Sequence, residues 1–305
     1  MAESGVQQLT AAIRGTLVAV ASEEIVQIWD SATGEKILEL KAAYEWGGFR
    51  LALNPTGSLC AVATFHAGYY KGRRGGVTCY DVPSAKTLWH RDIRHTQCVR
   101  FASDSKSVYC GRNEGPLLRL CGATGETLEE LRDTADVQQS PYSAHALVVP
   151  RSNAYILQGA RRHSFERRTD PSGRQDKPQR ACCPTAIGFG PDSVWLAEQG
   201  IESLLRCFDY NGIERWQGEI AKATIICQLC YRPADGHFYG VEQDQSGTWN
   251  HLVRYSDSGA REKVSDVRLW WTHLGFCLNG DAVVTPEGDV IETTRGTIIK
   301  NIRFR

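Results

Sequence analysis

The residues best suited to metal chemistry are two close pairs among eleven cysteines, Cys182-Cys183 and Cys227-Gln-Leu-Cys230. The second pair has the spacing of metal ligands, but no second such pair follows at the distance of a zinc site. It also falls in Thr224–Tyr231, which reads as a β-strand, where residues three apart face opposite sides. Adjacent Cys182 and Cys183 have the same problem. We therefore expect no metal and no cofactor.

Familiar catalytic motifs are absent from the sequence. It contains no Gly-x-Ser-x-Gly elbow, no His-Glu-x-x-His pair and no Gly-Lys-Ser/Thr phosphate loop. With no such motif, we assign no catalytic residue.

The composition limits the possible partners. The 305 residues include 35 basic and 35 acidic side chains, so the formal net charge is zero. That balance argues against a nucleic-acid binder, whose affinity comes from clustered lysine and arginine. No apolar run approaches the ~20 residues of a membrane span, and Met1–Thr10 lacks the features of a secretory signal. We expect a cytoplasmic protein whose thiols are reduced and do not form disulfides.

Turn signals recur along the whole chain. Each signal is a polar residue followed, after a short spacer, by a small residue and then a β-forming segment. The small residues, which we call turn markers, are at positions 34, 85, 125, 173, 212, 259 and 296. Their mean spacing of about 44 residues lies in the range of propeller blades. Seven units of this length account for the whole chain, so we predict a single domain over 1–305.

Each unit has room for four short strands. Between Gln97 and Leu131 these are Cys98–Phe101, Ser107–Cys110, Pro116–Leu120 and Thr127–Leu131. The last could instead begin a short helix over Glu126–Val137, but the fourth-strand position fits better. We predict an all-β, seven-bladed β-propeller of four-stranded antiparallel blades. The predicted blades are approximately 6–41, 46–91, 95–132, 141–180, 181–220, 223–265 and 267–305.

Two segments carry a family resemblance. Ile25–Ile37, with its Trp29-Asp30 dipeptide, resembles the third strand and turn of a WD-repeat blade, and Leu51–Ala63 resembles the first turn and second strand. Cys207–Trp216 is similar to blades of the quinoprotein-like propellers, whose fourth strand often carries a tryptophan. There is one Trp-Asp dipeptide, Trp29-Asp30, and one Gly-His dipeptide, Gly236-His237, which lies outside these segments. The resemblance therefore implies the architecture and no ligand.

Strand order separates two ends of such a propeller. Loops between strands two and three, and between blades, share one end, which is irregular in sequence; we call it the loop-rich end. The turns with the small residues share the other, the uniform end. Functional residues usually lie on irregular loops over a rigid scaffold. We predict that partner-binding residues lie at the loop-rich end, namely Tyr44, Trp46, His66, Tyr69, Tyr70, Lys71, Arg73, Arg74, Trp249, Trp271 and His273.

The central loop of this prediction is His66–Gly76, which combines two tyrosines with three cations and no acid. Tyrosine and arginine are enriched at interface hot spots. A solvated hairpin is an equally good interpretation of this loop, and packing between blades is the favoured one for Trp270-Trp271. Two charged segments, basic Arg161–Arg180 and acidic Glu126–Asp136, suit selective protein contact on a neutral chain, although charge at a blade edge also prevents aggregation.

The leading functional prediction is a non-catalytic, monomeric protein that binds one dedicated protein partner. One concrete form is a toxin-neutralising immunity protein. The alternative is a propeller hydrolase or lyase with its site at the mouth of the central channel. His95, His145 and His273 lie near the starts of first strands and would supply that site, but no carboxylates accompany them.

Overall fold

The structure is a computed structural model. It describes the following residues: 8–12, 14–22, 25–41, 49–64, 76–93, 96–102, 105–112, 116–131, 145–148, 155–158, 183–199, 204–209, 213–220, 224–244, 250–267 and 275–304. Apart from one three-residue 3-10 turn at Leu278–Gly280, the regular structure of these residues is β-sheet. Among them, no helix has the length and apolar character that a membrane span requires.

Six antiparallel sheets have four strands each, joined in chain order, and we number them blades 1 to 6. Blade 1 comprises β1 (Gln8–Ala11), β2 (Leu17–Ala21), β3 (Ile25–Asp30) and β4 (Lys36–Lys41). Blade 2 comprises β5 (Phe49–Leu53), β6 (Leu59–Thr64), β7 (Val77–Asp81) and β8 (Lys86–Arg91). Blade 3 comprises β9 (Thr96–Phe101), β10 (Ser107–Arg112), β11 (Leu117–Cys121) and β12 (Thr127–Leu131).

A two-stranded hairpin, β13 (His145–Val148) with β14 (Tyr155–Gln158), follows in the chain. Blade 4 comprises β15 (Cys183–Phe189), β16 (Ser193–Gln199), β17 (Leu204–Asp209) and β18 (Glu214–Glu219). Blade 5 comprises β19 (Thr224–Arg232), β20 (His237–Asp244), β21 (Asn250–Tyr255) and β22 (Arg261–Val267). Blade 6 comprises β23 (Gly275–Cys277), β24 (Ala282–Val284), β25 (Asp289–Glu292) and β26 (Ile298–Asn301).

The predicted number of blades was wrong, because the described residues form six four-stranded sheets rather than seven. Within the described residues, the predicted blade 141–180 contributes only the separate two-stranded β13–β14 hairpin. The third strand expected there, His163–Thr169, lies outside the described residues. The count rested on turn spacing, which measures chain length and not the number of strands that pair.

The turns of the uniform end behave as the sequence predicts. The small residues that mark them have positive φ angles wherever they are described, at Gly34, Ala85, Gly125, Gly259 and Gly296. In the first turn the carboxylate of Asp30 accepts hydrogen bonds from the amides of Ala32, at 2.7 Å, and Thr33, at 3.0 Å. These local bonds reverse the chain between the third and fourth strands, as Asx turns do.

Contacts group the chain into two compact units. Unit 1 contains Met1–Thr134 and Trp271–Arg305, and unit 2 contains Ala135–Trp270. Within unit 1, apolar layers join blade 6 to blade 1, blade 1 to blade 2, and blade 2 to blade 3. Within unit 2, an apolar layer around Trp195 joins blade 4 to blade 5. The single domain over 1–305 stays a prediction.

The two ends of the chain belong to different sheets of unit 1. β1 pairs with β2 in blade 1, while β26 pairs with β25 in blade 6. Blade 6 nevertheless packs directly on blade 1, since Phe304 lies edge-on to Trp29 with ring centroids 5.7 Å apart. The terminal segments are therefore joined by side-chain packing and not by a shared sheet.

Candidate functional site

All eleven predicted partner-binding residues lie outside the described residues. They fall in four segments of the loop-rich end, 42–48, 65–75, 245–249 and 271–274. Of the three channel histidines, His95 and His273 also lie outside, and His145 is described only as part of β13. Their roles stay predictions. The described residues do show how the bases of two of these loops are built.

The basic, aromatic segment 65–75 begins and ends on a hydrogen-bonded pair. The amide of Thr64 donates to the carbonyl oxygen of Gly76 at 3.0 Å, and the amide of Gly76 donates to the hydroxyl oxygen of Thr64 at 3.1 Å. These bonds extend the β6–β7 pairing by one step and fix where the loop starts. The base is therefore a rigid platform of the kind on which binding loops are usually mounted.

The imidazole of His90, in β8, lies against Gly76 at the base of this loop. A Cβ atom placed on Gly76 would lie 2.5 Å from Cε1 of His90, so only glycine allows the imidazole this position. The ring is held at both nitrogens: Nδ1 lies 2.9 Å from the hydroxyl of Thr78, and Nε2 lies 3.3 Å from Asp92. The sequence analysis did not single out His90, because Gly76 and Thr78, which its ring contacts, are more than ten residues away in the chain.

A buried ionic network supports the second loop, at 245–249. Glu242 of β20 is fully buried, and Arg261 of β22 donates to both of its carboxylate oxygens, from Nε at 2.9 Å and from Nη2 at 2.7 Å. The hydroxyl of Tyr255 donates to the same carboxylate at 2.6 Å. Burial, together with the charge of Glu242, raises the pKa of Tyr255 well above its usual value. Removing one partner would leave a buried charge uncompensated.

The network can form because Gly240, in the middle of β20, leaves room for the ring of Tyr255. A Cβ atom on Gly240 would lie 2.9 Å from the ring of Tyr255, which therefore lies across that residue to reach Glu242. Closer to the loop, His251 Nδ1 lies 2.6 Å from Asp266 Oδ1, and Lys263 Nζ lies 2.6 Å from the same oxygen. These hydrogen bonds, above all that from Lys263, lower the pKa of Asp266.

The cysteines offer no metal site in the part of the chain that the structure describes, where no group of three or more histidine, cysteine or acidic side chains comes together. Thr224–Arg232 is a strand, and Cys227 is the extra residue where the register shifts between Ile226 and Gln228. Burial raises the pKa of Cys227, as of Cys79, to about 12. These thiols are therefore protonated at neutral pH.

Cys121 differs from the other thiols. It occupies the turn position held by Asp30 in blade 1, where backbone amides point at the side chain. Hydrogen bonds from the hydroxyl of Thr124, and from the amides of Thr124 and Ala123, lower the pKa of the Cys121 thiol. Against the effect of burial, hydrogen bonds from turn amides also lower the pKa of Asp30, so the two turns stabilise an anionic side chain in the same way.

A contact that the sequence analysis missed joins neighbouring blades. Trp89 of β8 donates its indole N–H to the carbonyl oxygen of Gly122 at 2.8 Å and lies against Gly125. Trp216 of β18 likewise donates to the carbonyl oxygen of Asp257 at 2.8 Å and lies against Gly259. We call this a seam contact. A tryptophan four residues after a turn marker, with glycine at the next marker, is its sequence signal.

Blade 6 makes the same seam contact with a lysine. Lys300 of β26 lies against Gly34, with Cε 3.1 Å from where a Cβ would be, and its amine donates to the carbonyl oxygen of Ala32. The turn of blade 1 therefore accepts a hydrogen bond from the ammonium group of Lys300, whereas the turns at Gly122 and Asp257 accept one from an indole N–H.

No protein-family model and no curated protein matches the chain. Solved structures do. A chain of the crystal structure of the mitotic checkpoint complex has 13% identity and a TM-score of 0.63, with 97% of this chain and 90% of that chain covered. U3-55K has 12% identity and a TM-score of 0.65, covering 99% and 94%. The WD40 repeats of RRP9 have 12% identity and a TM-score of 0.64, covering 99% and 92%.

Identities this low establish the fold alone. The chain has the fold of the WD40 β-propellers, which confirms the predicted all-β propeller, apart from its number of blades, and the predicted resemblance to WD-repeat propellers.

Proposed function

We propose that this chain is a non-catalytic β-propeller that binds a dedicated protein partner through its loop-rich end. The observation that carries the proposal is the anchored base of the segment 65–75, closed by Thr64 and Gly76 and covered by His90. A fixed base lowers the entropy lost when a loop orders against a partner. Tyr69, Tyr70, Arg73 and Arg74 would be the contact residues, together with the aromatic residues of the other three segments.

The comparisons support a protein partner. The solved structures that share the fold include a chain of the mitotic checkpoint complex, which is a complex by its name. Cys60, Cys79, Cys110, Cys121, Cys207, Cys227, Cys230 and Cys277 are free thiols in the structure. As part of the proposal we place the chain in a reducing compartment, the cytoplasm. A monomer that neutralises a toxin by covering its active site is one specific form of this proposal.

The experiment compares two sets of exposed substitutions after the partner has been captured and identified by mass spectrometry. Replacing Tyr69, Tyr70, Arg73 and Arg74 by alanine should weaken binding by about 2 kcal/mol or more, since aromatic and arginine anchors dominate interfaces. The arginine changes should act on the association rate and its salt dependence. Calorimetry and surface plasmon resonance would measure both effects.

The matched control is on the uniform end. Alanine at Thr33, Glu35, Thr124 and Glu126, which the structure places in exposed or partly exposed turns, should leave affinity unchanged. If this control set breaks the complex and the loop set does not, the proposed end is wrong. Substitution of His95, His145 and His273 tests the enzymatic alternative, which requires that a measurable activity be lost.

A further inference from the structure

The outer strand of blade 6, β26, reverses the usual distribution of side chains. Its two isoleucines point outward, with Ile298 61% and Ile299 58% exposed, the largest values among the described apolar residues. Its polar residues are engaged within the protein: Lys300 donates to the carbonyl oxygen of Ala32, and the amide of Asn301 donates to Asp289 at 2.7 Å. The outer strands β4, β8 and β12 each expose one aliphatic residue, Ile37, Leu88 and Leu128, whereas β26 exposes two adjacent ones. Contiguous apolar residues at the surface mark an interaction site, while isolated ones are common.

Other outer strands are protected by charge. In β8, Lys86, His90 and Arg91 are exposed, and in β12 Glu129 and Glu130 are exposed. Charged side chains on an outer strand prevent it from pairing with another chain. In β26 the one charged residue, Lys300, is occupied by its seam contact. Among the described residues β26 pairs with β25 alone, so its other backbone edge is available to a further strand.

Basic residues flank this apolar strand. Arg295 precedes it, with a side chain 78% exposed and 3.8 Å from Glu292, and Arg303 follows it and is exposed. No acidic residue occurs from Thr293 to the end of the chain. The outer edge of blade 6 is therefore apolar in the middle and positive on both sides.

The strand is held firmly in place. Ile302, directly after β26, is 1% exposed, and its amide donates to the carbonyl oxygen of Gly288 at 2.6 Å. Phe304 then packs on Trp29 of blade 1. A strand fixed on both sides can accept a partner strand without first ordering itself.

We propose that the outer edge of β26 binds an extended segment of a protein partner, with aliphatic residues at its centre and acidic residues around them. The segment would add to blade 6 as a fifth strand. Main-chain hydrogen bonds provide affinity in this mode of recognition, and side-chain contacts provide specificity. Here Ile298 and Ile299 contact the aliphatic residues, while Arg295 and Arg303 face the acids. This surface is independent of the loop-rich end.

The probe is a fluorescein-labelled nine-residue peptide, Asp-Glu-Val-Thr-Val-Thr-Val-Glu-Asp, titrated with the full chain and followed by fluorescence anisotropy. A second peptide has lysine at the four acidic positions, and a third has the acidic sequence with N-methylated valines and threonines, which removes the central amide donors of both edges. The acidic peptide should bind at least about tenfold more tightly than the lysine peptide, because the flanking charges are complementary. The N-methylated peptide, which lacks the donors for strand pairing, should not bind.

Two substitutions locate the site. Ile299→Glu should abolish binding of the acidic peptide, whereas Leu88→Glu, at the corresponding exposed position of β8, should leave it unchanged. Arg303→Glu, at an exposed position outside the strand, should weaken binding at least about threefold through lost charge complementarity, and circular dichroism should show an unchanged fold. The quadruple alanine variant of the loop at 65–75 should bind the peptide as the unmodified chain does.

Several results would overturn the proposal. Equal affinity for the acidic and lysine peptides would show that charge complementarity does not contribute to binding. An equal loss of affinity in Ile299→Glu and Leu88→Glu would show that the peptide does not bind at β26. An unchanged affinity in Arg303→Glu would contradict the flanking contacts even if Ile299→Glu failed to fold. Light scattering that shows a dimer lost in Ile299→Glu would assign this edge to a second copy of the chain.

Discussion

Two outer strands of unit 1, β8 and β26, occupy equivalent places in blades 2 and 6 but place different kinds of residue against the turn of the adjacent blade, although each also exposes aliphatic residues, Leu88 in β8 and Ile298 and Ile299 in β26. β8 turns Trp89 inward, where it lies 7% exposed against the Gly125 turn, and leaves charged residues outside. β26 turns Lys300 inward and leaves Ile298 and Ile299 outside. The seam contact between blades 2 and 3 thus buries an indole, whereas the seam contact between blades 6 and 1 is a hydrogen bond from a charged amine. The difference separates a strand that stabilises the fold from one available for recognition.

The largest expected effect is at the tryptophan seam. Trp89→Ala should lower the free energy of unfolding by about 3 kcal/mol, because a buried indole and its hydrogen bond to Gly122 are both lost. Lys300→Ala should cost less than about 1 kcal/mol, the usual contribution of an exposed hydrogen bond. Urea denaturation followed by circular dichroism measures both values. Equal losses would show that the two seams are equivalent.

The glycines beneath the two seams extend this test. Gly125 and Gly34 have positive φ angles of 72° and 77°, so alanine is strained at both, by about 1 kcal/mol. At Gly125 the new methyl group would also lie 2.6 Å from the indole of Trp89, whereas at Gly34 it would meet the flexible chain of Lys300 at 3.1 Å. Gly125→Ala should therefore lower the thermal midpoint clearly more than Gly34→Ala. Similar midpoints would argue against a rigid indole contact.

A smaller effect is expected at the turns that lead into the two strands. Ala85 precedes β8 with a φ of 57°, and Gly296 precedes β26 with a φ of 66°. Ala85→Gly should raise the free energy of unfolding by up to about 1 kcal/mol, because glycine adopts this conformation without steric cost. Gly296→Ala should lower it by a similar amount. A destabilised Ala85→Gly would mean that the entropy of the unfolded chain outweighs the strain.

The smallest expected change is chemical and leaves stability unaffected. Cys121, in the turn beneath Trp89, should be the described cysteine that iodoacetamide alkylates first at neutral pH, since its lowered pKa increases the thiolate fraction. Burial raises the pKa of Cys277 to about 11 and that of Cys79 to about 12, so both should react only after denaturation. Peptide mass spectrometry of the native protein decides the order. Earlier alkylation of Cys79 would contradict it.

Local patterns were read correctly from the sequence. Thr127–Leu131 is a strand with the predicted bounds, and Gly34, Gly125, Gly259 and Gly296 lie in the predicted turns, where their φ angles are positive. Both features depend on neighbours within a few residues, through β-propensity and turn hydrogen bonds. The blade count was wrong, because an average spacing says nothing about whether a given segment can fill a sheet.

Contacts between distant residues could not be predicted in this way. Trp89 meets Gly122, and Lys300 meets Ala32, across large separations in the chain, so no local pattern specifies either pair. The network of Glu242, Tyr255 and Arg261 likewise joins three strands, β20, β21 and β22, and it requires the glycine at position 240 of β20. The sequence by itself determined the strands, the turns and the repeating architecture, because these follow from short-range backbone preferences. Only the tertiary structure decided which outer strand buries its apolar residue and which presents it to solvent, because that choice depends on the turn of the adjacent blade.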